Sequence, residues 1–534
     1  MKKQDYIDDL GRKLTAGTID RRGFMKGALA TGMAVSAATA LADQAQAATP
    51  KKGGTMVMGI GHGSTTDSKD PGLFENDFTI SLTHSYNGYL TQIAADGSLE
   101  PSVAESWESS PDAKVWTFKL RDGVEFHNGK SVTADDVVAS INHHRGEDST
   151  SAAAPLVSAV TDIKADGKNT VVVTLGAGNA DFPFIVHDYH IPVMQATSDG
   201  KMDYASEIGC GAYKIDHYDT GVSAELSKHA NHWDSSVGHL DGAQMLVLHD
   251  PNARTAALVS GDCDSIDRVD LKTAGLLGRK PGVNLHKVDG TQHYTFPMRG
   301  DQAPWNDNNI RMALKYACDR QEMVDKILFG YGAVGNDHPI GSGQRFFNTE
   351  LEQKTFDPDK SKYYLKQAGL DSLSVDLSVA DAAFAGAIDA GVLYQNSAKK
   401  CGISINVIRE PSDGYWSDVW MNKGWCASYW GGRPVEDLMF STAYESGVAW
   451  NEAFWSNARF DELLIAARAE LDQDKRREMY WEMQDICAND CSTVIPMFAS
   501  YVFATNDSVG HPDTFATNWD KDGHRWMERW WKKS

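Results

Sequence analysis

The stretch from residue 373 to 409 constrains the fold more than any other part of the chain. Val375, Leu377 and Val379 alternate with polar neighbours, the period-2 pattern of a strand. A helix is expected from about 384 to 400, ending in Lys399-Lys400 with Gly402 beyond it as the C-cap. Ile403, Ile405 and Val407 then alternate again. A strand–helix–strand unit joins parallel strands through a right-handed crossover. Helical and strand patterns alternate elsewhere too. Strands are expected at 53–60, 115–120, 171–175 and 494–504, with a hairpin turning at Arg121-Asp122-Gly123 into Val124–Phe126. Thr133 opens a helix reaching about 145, its hydroxyl capping N–H groups while Asp135 and Asp136 suit the positive end. Ile310, Ala313, Leu314, Ala317, Val324, Ile327 and Leu328 define one amphipathic helix over 309–328. Two more helices follow at about 458–471 and 474–489. No internal repeat or low-complexity linker interrupts this order, and the fold class is α/β.

The first 47 residues read as an export address. Asp20-Arg21-Arg22-Gly23-Phe24-Met25-Lys26 precedes an uncharged run at 27–42, and Ala45-Gln46-Ala47 supplies a small-x-small cleavage site. The paired arginines resemble a twin-arginine signal. Sixteen uncharged residues fall short of the ~20 that span a bilayer, so cleavage after about Ala47 and a periplasmic product are expected. No Cys lies near that point to carry a lipid. Residues 1–47 hold seven Lys/Arg and five Asp/Glu, so the net charge of −22 becomes −24 on their removal. That acidity argues against a nucleic-acid partner, which needs a basic surface.

Few motifs carry covalent chemistry. No GxSxG elbow, HExxH pair, CxxC or EF-hand loop occurs. Gly123–Ser131 ends like a phosphate loop but has five residues between its glycines instead of four, so it reads as a turn. The pairs His187/His190 and His229/His232 lack a completing ligand and read as surface histidines. Asp262, Asp264, Asp267 and Asp270 read as a solvated face. Gly59, Gly61 and Gly63 precede no clear helix and make no dinucleotide site. Seven cysteines leave at least one unpaired, and their pairing stays open. An enzyme, a cofactor and a bound metal are therefore not expected.

Aromatic residues give the positive signal. Six of the 15 Trp fall between residues 416 and 455. Within that block Gly431-Gly432-Arg433-Pro434-Val435-Glu436-Asp437 follows a strand, at the carboxyl end where α/β sheets bind ligands. Aromatic walls with a few charged groups describe a small-molecule pocket; an aromatic core beneath a solvated loop is the competing reading. The candidate ligand-binding residues are Trp416, Trp425, Cys426, Ser428, Tyr429, Trp430, Arg433, Glu436 and Asp437.

Several runs then resemble the peptide/opine/nickel family of periplasmic solute-binding proteins that serve ABC importers. They are Leu99–Trp107, Trp116–Gly129, Thr133–Val137, Gly209–Lys214, Leu258–Asp264, Pro304–Asp307, Ala317–Arg320 and Phe356–Lys360. The resemblance implies a two-lobed periplasmic-binding-protein fold of the large dipeptide/oligopeptide type. Lobe one would comprise 48–80, 209–297 and 505–534, with an extra sub-domain at 81–208, and lobe two 298–504. A hinge would close the lobes on a peptide or a peptide-like, opine-like molecule. The closed monomer would then dock on a membrane permease with its ATPase.

The same resemblance places Ser428 where oligopeptide binders carry an Asp for the peptide ammonium. It also finds no Arg at Ala380–Phe384, where dipeptide binders hold the carboxylate. Glu436 or Asp437 would replace the first anchor and Arg433 the second. A secreted hydrolase, a binder of a chelated metal and a chaperone-like peptide binder are the alternatives.

Overall fold

The computed structural model describes residues 6, 10, 13, 21–31, 33, 50–146, 149–411 and 415–533. Asp20 and the Ala45-Gln46-Ala47 cleavage site lie outside the described residues. Arg21–Ala30 forms a helix. Among the described residues no helix is long and apolar enough to cross a membrane.

A nine-stranded sheet organises the chain. Its order is Ser428–Trp430, Val283–Pro297, Thr493–Asn506, Ser265–Ile266, Thr55–Ile60, Gly242–Val247, Ser223–Lys228 and Tyr213–Asp219, with Gly332–Val334 added beside Thr493–Asn506. Two members are far longer than the rest, at 15 and 14 residues. They pair antiparallel from Val283↔Asn506 to Pro297↔Thr493, and the register breaks between Asp289 and His293. One half of this pair is bordered by Ser265–Ile266, the other by Ser428–Trp430 and Gly332–Val334. The long strands thus carry the chain between two bodies, with an irregularity midway.

Each body has its own apolar interior. One cluster gathers Leu314, Leu377, Tyr394 and Trp425, another Met58, Tyr86, Phe503 and Trp526. A third, with Trp116, Phe118 and Val173, fills the segment carrying the four-stranded sheet of Ala104–Ser109, Val115–Leu120, Thr170–Leu175 and Val160–Ala165. The crossover unit is present: Leu373–Val379 pairs parallel with Ile403–Arg409 around the helix Ala387–Lys399. Thr133 caps Ala134–Asn142 through a capping box with Asp136. Lys130 Nζ also bonds Asp136 at 2.7 Å, so the lysine of the phosphate-loop lookalike is spent on scaffold.

Four expectations are corrected. The helix over 309–328 is two helices, Asn308–Ala317 and Arg320–Lys326. Cys318 is extended, and the Asp319 side chain accepts from Glu322 N to start the second. Val124–Phe126 forms no strand and makes a single bridge, Glu125↔Ser131, because the loop closes at once through Gly129 at φ 84°.

Of the acidic run only Asp262 is a solvated residue; the others are engaged in the fold. Asp267 is buried between Gly61 N at 2.7 Å and Lys521 Nζ at 2.8 Å, and Asp264 holds Lys532 Nζ at 2.7 Å. Asp270 caps the helix Leu271–Leu277. His187, His190 and His229 are buried rather than on the surface. Backbone carbonyls partner the first two rings: Thr91 O lies 3.0 Å from His187 Nδ1 and Phe74 O lies 2.9 Å from His190 Nε2. All seven cysteines are free and buried.

Candidate functional site

The strand Ser428–Trp430 lies against one long strand in the register His293↔Trp430, Tyr294↔Tyr429, Thr295↔Ser428. Strand alternation then sorts the candidates onto two faces. Tyr429 shares its face with Tyr294, which stacks on Phe384 at 4.1 Å. Trp416 meets Tyr429 edge-on at 5.7 Å, and the two are 41% and 42% exposed, a large apolar surface open to a ligand. Burial pushes the Tyr294 phenol up to about 12, while the Arg268 guanidinium acts on it in the opposite sense. Arg268 is itself paired with Asp77.

Ser428 and Trp430 point the other way, toward Glu452. That carboxylate is buried and accepts from Thr295 Oγ1 at 2.8 Å, Trp430 Nε1 at 2.9 Å and Trp420 Nε1 at 2.6 Å. Burial raises its pKa, and the indole and hydroxyl donors work against that rise. An acid therefore stands beside Ser428, supplied by a different segment.

Four other candidates are engaged in scaffold. Trp425 packs between Trp305 at 5.5 Å and Tyr394 at 5.4 Å, and donates to Phe296 O. Cys426 is buried in the same cluster, and burial pushes its thiol far above the usual range. Glu436 Oε1 accepts Phe346 N at 2.7 Å. Asp437 accepts Arg468 Nε at 2.9 Å; burial raises its carboxyl to about 6 despite that cation.

Arg433 differs from these. Its guanidinium reaches only the carbonyls of Gly431 and Gly432, at 3.4 and 3.3 Å, and makes no ion pair among the described residues. Burial lowers its pKa, with Tyr189 and Asp188 opposing. It lines a cavity of about 380 Å³ where Phe184, Gln344, Arg345, Thr291 and Asn518 converge from distant parts of the chain. Asn518 Oδ1 is buried there without a hydrogen-bond partner, and Thr291 Oγ1 is buried there with the Tyr501 phenol as its neighbour. Gly432 permits the approach, since a Cβ at that position would fall 2.0 Å from Thr291 Oγ1. Beyond Tyr189, Trp519 meets the tyrosine edge-on at 5.4 Å and stacks on His187 at 6.2 Å.

The structure thus brings together Trp416 with Tyr429 on one wall and places Arg433 at a separate cavity. Ser428 and Trp430 join Glu452, while Trp425, Cys426, Glu436 and Asp437 serve packing or ion pairs. Sequence reasoning missed Thr291, Tyr294, Glu452, Asn518 and Trp519. Only Tyr294 had a local signal, the alternation within its strand. Among the described residues no three His, Cys, Asp or Glu side chains form a group that holds a metal.

Comparison with known proteins adds an independent finding. The model of the "Bacterial extracellular solute-binding proteins, family 5 Middle" matches residues 98–452. The dipeptide-binding protein of Escherichia coli K12 is 24% identical over 469 residues, covering 80% of this chain and 86% of that protein. The periplasmic binding protein DppA of Helicobacter pylori, solved with the peptide STSA, superposes with a TM-score of 0.72 at 20% identity, covering 91% and 99% of the two chains. AgaA of A. tumefaciens R10, solved with agropinic acid, gives 0.71 at 21% identity, covering 90% and 99%. These superpositions show the two-lobed binding-protein fold. The hydrolase alternative receives no support from the matches, whereas a nickel-binding periplasmic protein of Escherichia coli K12, 26% identical over 296 residues (52% of this chain, 55% of that protein), is among the relatives.

Proposed function

The chain belongs to the bacterial extracellular solute-binding proteins of family 5, and on that premise we propose that its ligand is a carboxylate-bearing peptide or opine-like molecule. Family members are periplasmic substrate-binding components of ABC importers and perform no catalysis; this chain is a solute-binding protein of that kind. Relatives are named for peptides, agropinic acid, nickel and heme, and the first two chemistries carry carboxylates.

One observation carries the ligand reading. Arg433 is the cation at the cavity without an anionic partner, and buried charge is costly unless it is paired. A ligand carboxylate would take the planar guanidinium as a fork. Thr291 and Asn518 would meet its polar groups, and Phe184 would cover an apolar part. The lobes would be 48–80, 209–297 and 505–534 with the sub-domain 81–208, facing 298–504. The long-strand register break supports a hinge between them. After export and cleavage near Ala47, a monomer would deliver the ligand to the permease and its ATPase.

The test is calorimetry of the purified mature chain with a panel of dipeptides, opines and their carboxamide counterparts. A carboxylate should bind at least tenfold more tightly than its amide, the scale of a charge-assisted hydrogen bond. Arg433→Ala should erase that preference. Equal binding of acid and amide by the native protein would remove Arg433 as the anchor.

A further inference from the structure

A second cavity, of about 250 Å³, lies against the long strands where their pairing is interrupted. Asp289, Gly290, Phe498 and Ser500 of those strands form one side. Asp289 still pairs with Ser500 and His293 with Phe498, so three residues of one strand oppose one of the other between them. The pairing therefore leaves room that a continuous ladder would fill. The opposite side comes from the segment running from Ala333 to Gln353. This cavity shares only Ser342 with the one beside Arg433. The chain between them is tightly seated: Thr517 Oγ1 donates to Gly343 O, and a Cβ on Gly341 would lie 3.1 Å from the Phe498 ring.

The chemistry of the walls is specific. Val334, Phe347, Leu351 and Phe498 supply apolar surface. The amide and carboxylate neighbours are already satisfied. Asn336 bonds Glu352 O and Lys354 N, Asn348 bonds Glu350 N and Leu351 N, and Gln353 bonds Gly335 O. Asp289 is met by Ser500 Oγ and by Lys287.

His338 is the exception. It is 1% exposed, and its Nδ1 is buried with no partner. Burial holds the ring near a pKa of 3, so it is a neutral imidazole at physiological pH. An unpaired polar atom in such a place is costly, and a ligand group would recover that cost. Asn348, Leu351 and Gln353 also border a more open groove of about 490 Å³, which gives access from solvent.

We propose that this cavity is a second binding site, for a small uncharged ring-sized molecule that meets His338 with one hydrogen-bonding group. An apolar cavity of roughly 150 Å³ suffices for benzene. The volume here takes a substituted ring, and His338 is the buried lining side chain whose polar atom lacks a partner, so one polar group on the ligand is called for there. No uncommitted cation or anion borders the space, so a charged ligand would be buried without a counter-charge.

Phenol and toluene, alike in shape and different in that one group, are the probes. They are titrated into the mature protein while the His338 imidazole resonances are followed. Phenol should shift His338 saturably, and toluene should bind roughly tenfold more weakly, the worth of one hydrogen bond. His338→Phe should remove the difference between the probes. Arg433→Ala should leave the His338 response unchanged, which separates this site from the cleft. Failure of phenol to perturb His338 at any soluble concentration would overturn the proposal. So would equal affinity for the two probes. Both readouts use the native protein and stand even if a variant fails to fold.

Discussion

Arg476 donates from both terminal guanidinium nitrogens to the Asp181 carboxylate, 295 residues earlier in the chain, and neither side chain reaches solvent. Arg345 adds a third donor at 2.9 Å. Burial alone would raise the Asp181 pKa, and the two arginines reverse that push. Close by, Ala180 N donates to Arg468 O at 2.7 Å. The contact therefore clasps the segment bearing the four-stranded sheet to the helices after residue 457. Asp181→Ala should cost about 3–5 kcal/mol in denaturant unfolding, because it strands a buried guanidinium. The double change Asp181→Leu with Arg476→Met should recover most of that loss, since the only charge then left without its partner is Arg345, which is partly open to water. A single variant that unfolds like the native protein would show the clasp to be solvated.

Glu452 ties three donors from separate segments into one knot: Thr295, Trp420 and Trp430. Glu452→Gln keeps one acceptor oxygen. Its new amide N–H₂ faces the Trp420 N–H, donor against donor. Loss of that bond should destabilise the protein by about 1–3 kcal/mol. Tryptophan emission should shift to the red as Trp420 gains access to water. Unchanged emission and thermal midpoint would mean that the aromatic wall is held by packing alone.

Much of the scaffold was readable because its signals are local. Thr133 with Asp136 is a cap within four residues, and 373–409 carries period-2 runs around a helix of the right length. The break at Cys318-Asp319 was missed because apolar periodicity resumes beyond it in Val324 and Ile327. Asp319 followed by Glu322 was the capping signal there. The site was only partly legible. Aromatic density and a charged glycine-rich loop mark Trp416, Tyr429 and Arg433 in the sequence itself. Thr291, Glu452 and Asn518 gain their roles from partners far away in the chain, and nothing beside them in sequence marks that. His187 and His190 were misplaced for the same reason, since the carbonyls that allow their burial belong to Thr91 and Phe74.

The cysteines give a sharp chemical prediction. All seven are buried, and burial raises Cys210, Cys318 and Cys491 to about 12. Thiolate, the reactive form, is then scarce at neutral pH. No thiol should react with Ellman's reagent in the native protein, and all seven should react after denaturation in guanidinium. Fewer than seven after denaturation would reveal a disulfide; rapid reaction before it would expose a mobile thiol.

Buried histidines set the pH dependence. Burial lowers His187, His338 and His524 to about 3 and His293 to about 4, from an unfolded value near 6.5. Between those limits the unfolded chain binds more protons than the folded one, so acid favours unfolding. Each such histidine contributes a slope of up to about 1.4 kcal/mol per pH unit in that window. Asp437 acts in the opposite sense. Its carboxyl is raised to about 6 by burial, so the folded state gains protons before the unfolded one, and stability rises as pH falls from 6 toward 4. The histidines outnumber it, and the thermal midpoint should drop as pH is lowered from 7 to 4.5. His187→Phe should flatten that decline, whereas Asp437→Asn should steepen it by removing one of the opposing carboxyls, which also include Asp520, Glu436 and Glu452. A midpoint independent of pH over this range would mean that the buried rings are protonated in the folded protein.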